Sequence, residues 1–395
     1  MFYCGIDIAK HKHEASVINA DGKALADSIS FSNNKQGCEK VLDVFDKFEI
    51  SSDEIIVGME ATGHYWLSVY AFFLELGFDV KVINPIQSEA FRKMYIRQTK
   101  NDSKDSYIIA QIMRFGEYSA TELSEENIIA LRQLSRYRLA LVDEIGDCKR
   151  RIIALLDQVF PEYEKLFSDT FGSSSKELLL NYPTPEDLLE IPTRKLQNLL
   201  NKSSHGRFGK DKAEQLKTAA KNTFGITFAK EAFSFQIRQI MAQIIFLEKQ
   251  LDELEKQIAN LLHETNQYIT TISGISDTLG AIIIGEIGDI NRFERLNQLV
   301  AFAGLDVTVK QSGEFSGTKN RISKRGSPYL RRAIWLAAQR AAFCDPILSE
   351  YYQSLKSRGK HHLTAVGAVA RKLCNIIFAI LKENRPYMPT PPKSS

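Results

Sequence analysis

Residues 3–31 read YCGIDIAKHKHEASVINADGKALADSISF, and this stretch decides how the first third of the chain folds. Tyr3–Ile8, Ala15–Asn19 and Ala24–Phe31 are short β-prone runs separated by turns. Between the second and third, Asn19 to Lys23 reads NADGK and carries the Asp-Gly hairpin signal. Working outward, Gln36–Phe48 has helical spacing and Ile55–Met59 is an apolar strand. A helix is expected over Tyr65–Leu76 and a strand over Phe78–Ile83, stopped by Asn84-Pro85. A further helix follows Asp102 and runs through Ile108, Ile109 and Ile112.

Three strands followed by alternating helix and strand is the element order of an α/β, ribonuclease-H-like domain, expected over residues 1–120. Residues 121–268 read as a coiled-coil middle. One long helix covers 125–160, with Ile128, Leu131, Leu134, Leu141, Ile145 and Ile152 as its apolar stripe. A small helical insertion is expected at about 161–225, where Pro185-Glu186-Asp187 suits a helix start. Ile237, Ile240, Ile244, Leu247, Leu251, Leu254, Ile258 and Leu261 then step alternately by three and four, a heptad seam. The two long helices either pair with each other or pair with another subunit. Residues 269–385 form a mainly helical last unit. Gly-containing turns flank a short apolar helix at its start, a helix-hairpin-helix-like device that offers backbone N–H groups to phosphate. Residues 386–395 are a Pro/Ser tail, expected to be disordered.

The chain has 395 residues, 44% hydrophobic and 25% charged, which excludes a mainly disordered, collagen-like or fibrous protein. No apolar run is read as reaching the roughly 18 residues of a membrane span. Five cysteines with no close pair fit a reducing cytosol and argue against disulfides or a cysteine zinc site. Net charge is +3, but residues 305–372 hold thirteen Lys/Arg against four Asp/Glu. A basic C-terminal third is an electrostatic footprint for nucleic acid.

Asp7 stands inside the first predicted strand and Glu60 ends the strand Ile55–Met59. A carboxylate in an apolar strand is costly unless it is paired or metal-bound. Asp102 and Asp105 are three apart at a helix start, on one face. Four carboxylates converging at one end of such a sheet repel each other unless divalent ions neutralise them. Oxygen-only ligands suit Mg²⁺ or Mn²⁺, and two such ions per site can hold the attacking and leaving oxygens of a phosphoryl transfer.

These residues resemble a family. Asp7, Glu60-Ala-Thr-Gly-His-Tyr, Val82-Ile-Asn-Pro and Lys100-Asn-Asp-Ser-Lys-Asp (Asp102, Asp105) look like the DEDD signature of RuvC-like insertion-sequence transposases. Ile272-Ser-Gly-Ile, Glu286-Ile-Gly-Asp-Ile, Phe293, Leu299-Val-Ala-Phe-Ala-Gly-Leu, Gln311-Ser-Gly and Ser323-Lys-Arg-Gly-Ser-Pro-Tyr-Leu-Arg-Arg resemble that family's C-terminal transposase domain. The middle matches only in being helical.

The resemblance implies a RuvC-like domain whose four acids (Asp7, Glu60, Asp102, Asp105) bind Mg²⁺. It also implies a C-terminal serine that attacks a DNA phosphate and forms a covalent phosphoserine link at a composite site. Donor and target double-stranded DNA are chosen by pairing to a bridge RNA. Subunits join through the coiled coil as a dimer or tetramer, in the cytoplasm of a bacterium or archaeon. The serine carried over is Ser312, with Ser316 four residues on as the alternative. Around it Lys310, Lys319, Arg321, Lys324, Arg325, Arg331 and Arg332 are placed to hold phosphates. A serine hydroxyl needs activation by a base or metal, and no His or Lys is an obvious base by sequence. Two other readings stay open: a metal-dependent, structure-selective nuclease resembling junction resolvases, and a non-enzymatic nucleic-acid-binding protein.

Overall fold

The computed structural model describes residues 1–61, 63–83, 85–92, 102–116, 126–307, 311–312, 315–316 and 322–389. The chain divides into two compact units, Met1–Leu123 and Ser124–Ser395.

The first unit runs β1 (Phe2–Asp7), β2 (Lys12–Asn19), β3 (Ala24–Ser32), α1 (Lys35–Lys47), β4 (Ile55–Glu60), α2 (Trp66–Glu75), β5 (Asp79–Ile83), α3 (Pro85–Arg92) and α4 (Asp102–Phe115). The sheet order is β3-β2-β1-β4-β5. The first three strands are antiparallel neighbours, and β4 and β5 extend the sheet in parallel. Local chemistry explains the switch. Asn19 closes the β2–β3 turn, its Oδ1 accepting from the Asp21 and Lys23 amides at 3.1 and 2.9 Å, while a parallel neighbour for β1 requires the longer crossover that α1 supplies. By sequence, Asn84-Pro85 reads as a stop. The strand does end there, at Ile83, and the structure adds α3 from Pro85, a first-turn position where the missing N–H costs nothing.

The sheet buries both faces. Cys4, Ile6, Val57 and Met59 pack with Val41, Phe45, Val69 and Phe73 of α1 and α2. On the opposite face lie Ile109, Ile112 and Met113 of α4, against Tyr3 and Ile56. Here Gly5 and Gly58 stand side by side in register on β1 and β4. A Cβ at Gly5 would fall 2.1 Å from the Ser106 carbonyl oxygen and 2.3 Å from the Ala110 nitrogen; one at Gly58 would fall 2.5 Å from Met113 Cγ. The two glycines therefore form a trough in which α4 lies. Further along α4, Tyr107 Oη and Gln111 Nε2 donate to the Gly22 carbonyl in the β2–β3 turn, beside the start of β1. So α4 runs against β1, and its first turn lies toward the C-terminal ends of β1 and β4.

The second unit runs α5 (Glu126–Val159), four short helices α6 (Ser173–Asn181), α7 (Pro185–Glu190), α8 (Thr193–Ser203) and α9 (Lys210–Lys221), then α10 (Lys230–Glu264), α11 (Asp277–Ile287) and α12 (Leu296–Phe302). A two-stranded hairpin, β6 (Gln311–Ser312) and β7 (Phe315–Ser316), precedes α13 (Pro328–Cys344), α14 (Pro346–Ser357) and α15 (His362–Glu383). Thr184 and Asp187 form a reciprocal capping box that starts α7. Of the two pairings left open for the long helices, the one within the chain is found. α5 and α10 are antiparallel partners, tied by Arg138–Glu255 at 2.7 Å and Lys149–Glu248 at 3.6 Å. Ile237, Ile244, Leu247, Leu254 and Ile258 of the seam are buried in one continuous core that reaches from Leu131 to Leu381.

One helix of this unit departs from the sequence reading. α15 has the length and mean hydropathy (1.6) of a membrane span by composition. Arg371 and Lys372 interrupt its apolar run and mask that property in the sequence. Val366, Val369, Leu373 and Ile377 bury one face of the helix in the core of the unit.

Gly5→Ala should force α4 off β1 and cost about 1–3 kcal/mol, the usual range for overpacking. Urea unfolding of the first unit reads this as a lower midpoint; an unchanged midpoint would mean that α4 is not seated in the trough.

Candidate functional site

Asp7 ends β1 and Glu60 ends β4. Ile6 and Met59 are parallel partners, so the two acids follow side by side at the C-terminal edge of adjacent strands. Each lies two residues after a trough glycine, hence on the sheet face that carries α4. Asp102 is the first residue of α4, and Asp105, one turn on, is buried. The side chain of Asp102 is outside the described residues. Fold topology thus brings Asp7, Glu60, Asp105 and the backbone position of Asp102 to one end of one sheet. Among the described residues no three His, Cys, Asp or Glu side chains are close enough to hold an ion. What is present is a hard-oxygen donor set on rigid strand ends and a helix start. That chemistry fits a divalent cation with oxygen ligands.

Two supports of this edge have no motif in the sequence. Ser88, buried on α3, donates to Glu60 Oε2 at 2.8 Å and orients that carboxylate. Ser106 and Ser16 join their hydroxyls at 2.7 Å, locking α4 to β2 next to Gly5. A readable signal does exist for the trough: Gly-Ile-Asp in β1 and Gly-Met-Glu in β4 repeat one glycine–apolar–acid pattern. The turn after Asp7 is pinned by His13, whose Nδ1 accepts the Ala9 amide at 3.1 Å. His13 is fully buried, and that burial holds its pKa below the usual imidazole value.

In the second unit, Ser312 pairs with Phe315 and Ser316 with Gln311 across the β6–β7 hairpin. Lys310, Lys319 and Arg321 lie outside the described residues. The stem of this hairpin is held by backbone pairing. Val307 bridges Ile322, the Ser323 amide donates to the Asp306 carbonyl, and the Ser327 amide donates to the Phe302 carbonyl at 2.8 Å. Gly326 has φ of +89°, and a Cβ there would fall 2.1 Å from the Phe302 carbonyl oxygen, so only glycine fits this return of the chain.

The stem is tied to a buried carboxylate that the sequence reading does not single out as functional. Glu286 of α11 is 3% exposed and receives Arg136 Nε and Nη2 at 2.6 and 3.0 Å. It also accepts from Ser327 Oγ at 2.7 Å, while Ser327 caps α13. Arg132 Nε donates to the Gly285 carbonyl at 2.6 Å. Nearby, burial and then the charge of Arg132 push the Arg292 guanidinium down to about 10. Of the basic residues expected to hold phosphate, Lys324 and Arg325 are exposed. Arg331 donates to the Lys324 carbonyl, and Arg332 makes a two-point ion pair with Asp143 of α5, 2.7 Å at each contact. At the helix-hairpin-helix-like start, the α11 N-terminus is capped by Ser276 and carries Asp277.

A family model described as transposase matches residues 4–161, and one described as transposase IS116/IS110/IS902 family matches residues 266–353. The chain is similar to a protein of insertion element IS110 from Streptomyces coelicolor (23% identity over 98% of this chain and 95% of the relative). It is similar to a protein of insertion element IS116 from Streptomyces clavuligerus (22% over 99% and 97%). A pilin gene-inverting protein of Moraxella bovis matches at 23% over 98% and 97%.

The chain belongs to the IS110 family of transposases.

As an IS110-family member it is a DNA-processing enzyme. The first matched region takes in α5, and the insertion and α10 lie between the two. The first contains all four acids; the second contains Glu286, Ser312 and Ser327.

Two outcomes test this geometry. Glu286→Ala leaves the Arg136 guanidinium and the Ser327 hydroxyl without their partner and should cost about 1–3 kcal/mol in thermal or urea unfolding of the second unit; no change would mean that the stem is not anchored there. For His13 the folded pKa lies below the unfolded value of about 6.5. Below that pH the unfolded chain binds the extra proton, so stability falls as pH drops. His13→Gln should flatten this acid-side loss in unfolding curves of the first unit.

Proposed function

We propose that the chain is an insertion-sequence recombinase in which residues 1–120 are a ribonuclease-H-like, RuvC-like domain and residues 269–385 carry a serine nucleophile, joined through the helices of 121–268. The observation that carries this reading is the convergence of Asp7, Glu60 and the start of α4 at one sheet edge. The sheet order β3-β2-β1-β4-β5 supports the ribonuclease-H-like assignment. Asp7, Glu60, Asp102 and Asp105 would hold Mg²⁺ or Mn²⁺. When bound, the cation supplies charge neutralisation at the reacting phosphate.

The protein residues carry the rest. The Ser312 hydroxyl attacks a DNA phosphorus. A Ser–O–P bond forms, one P–O bond of the DNA breaks, and the departing DNA oxygen leaves as a hydroxyl after taking a proton. Bond energy is conserved in the phosphoserine link, so a second DNA hydroxyl can reverse the step and exchange strands. Glu286, through Ser327, holds the stem of the serine hairpin and acts as a positioning residue. Exposed Lys324 and Arg325 contact the phosphate backbone, which gives affinity without sequence information. Sequence choice then falls to a bridge RNA.

Assembly into a homo-oligomer is part of the proposal. Because the α10 seam is satisfied within the chain, the subunit contact falls to the outward side of the helical pair, where Phe235 and Phe246 are 66% and 60% exposed. A Phe235→Ser/Phe246→Ser variant should lower the mass measured by light scattering, and an unchanged mass would place the contact elsewhere.

The deciding experiment mixes protein, Mg²⁺, RNA and DNA carrying the element's ends, then denatures the mixture. A protein–DNA adduct resistant to denaturation is expected for the natural sequence and for Ser316→Ala, and none for Ser312→Ala. Free DNA ends with undiminished cleavage by Ser312→Ala would instead identify a nuclease that uses water.

A further inference from the structure

The second unit carries a groove built from α12, α14 and α15. Leu296, Asn297 and Val300 of α12 and Tyr351 of α14 form its walls, over a floor from α15. The floor residues Ala368, Arg371, Lys372 and Asn375 are spaced by three and four, one helical face. The cavity is about 490 Å³, within the range of roughly 300–1,000 Å³ typical of small-ligand sites.

Its chemistry is one-sided. No carboxylate lines it. α12 contains no acid, and the stretch 362–382 of α15 contains none either. Glu350 neighbours Tyr351 on α14, but adjacent helix positions do not face the same way. Among the described residues no ion pair engages Arg371 or Lys372. Lys372 Nζ lies 4.7 Å from the centre of the Tyr351 ring, held over its face. Asn297 and Asn375 are exposed at the groove and present amide donors and acceptors. Leu296, Val300 and Ala368 supply an apolar surface between them.

Two cations, two amides, a phenol ring and a small apolar patch match the parts of a nucleotide: a phosphate, a base edge and a base face. In a duplex the base face is covered by stacking, and a base enters a pocket only if it is unpaired or turned out of the helix. We infer that this groove binds an unpaired nucleotide of a nucleic-acid strand, with Arg371 and Lys372 on the phosphate, the Asn297 and Asn375 amides on the base edge, and the Tyr351 ring against the base. This rests on the nucleic-acid-processing reading above and adds to it a second contact, on residues other than those of the serine hairpin. The preference for an unpaired strand is what separates it from a merely basic face. A buried core helix has no structural need for two adjacent cations at its middle, and this site accounts for them.

The test uses full-length protein and fluorescent oligonucleotides of equal length: single-stranded RNA, single-stranded DNA and blunt duplex DNA, followed by anisotropy across a salt series. For the natural sequence, single strands should bind with a steep salt dependence. In Arg371→Ala/Lys372→Ala the single-strand slope should fall by about 0.7, the contribution of the one phosphate that the pair neutralises, with duplex binding little changed. In Asn297→Ala/Asn375→Ala the single-strand affinity should fall severalfold at an unchanged slope. All four side chains reach the surface, and circular dichroism checks that each variant is folded. RNA and DNA single strands both count as the expected ligand, and the larger loss tells which one uses the groove. Binding identical to the natural sequence in both variants, or equal losses on duplex and single strand, overturns the site while leaving the family reading intact. Failure of the natural protein to bind any of the three would overturn the nucleic-acid reading itself.

Discussion

Everything in the first unit depends on how closely α4 can approach the sheet. Gly5 and Gly58 are neighbours in register and leave a strip without side chains across two central strands. The helix settles into it until the Ser106 carbonyl and Ala110 amide occupy the space that a methyl group would need. That approach sets the height of α4 above β1 and β4. It thereby sets how near its first turn stands to the strand ends that carry Asp7 and Glu60. Carboxylates from three segments far apart in sequence become one edge because two residues have no Cβ.

The second unit solves a different problem. The serine proposed as nucleophile stands on a short hairpin that needs a rigid base, since two-stranded ribbons are marginal by themselves. The base is supplied by the paired segments 302–307 and 322–327, and these are anchored through Ser327 to Glu286. Glu286 is in turn clamped by Arg136 from α5. A nearly fully buried carboxylate is hard to keep charged. Here it takes a two-point guanidinium contact and a hydroxyl, so its lone pairs are used. The long helices therefore do more than separate the two ends of the chain: α5 carries the cation that fixes the serine segment.

Much of this is legible in the amino-acid sequence because it is written in local patterns. The Asp-Gly turn, the apolar strand ending in Glu60, the heptad seam of α10 and the Ser327-Pro328 helix start each depend on residues a few positions apart, whereas Asp7, read inside its strand, is the last residue of β1. What is not legible depends on contacts between distant residues. Ser88 has no spacing that marks it as the partner of Glu60. The pairing of α5 with α10 in one chain needs three dimensions, since a heptad seam is satisfied equally by a second copy. α3 escapes a sequence reading because Asn84-Pro85 looks like a stop, although proline is at home in a first helical turn. Charge alone marks Arg332 as a free cation; its two-point pairing with Asp143, some 190 residues earlier in the chain, is legible only in three dimensions.

The central claim is that the acids gathered at the trough end of the sheet bind a divalent cation. Electron paramagnetic resonance of Mn²⁺ titrated with the protein addresses it without DNA, RNA or turnover. The free-ion signal should diminish as the natural protein is added, and should persist when Asp7→Asn/Asp105→Asn replaces it at the same concentration with its fold intact. A free-ion signal unaffected by the natural protein, or reduced equally by the variant, would contradict the account.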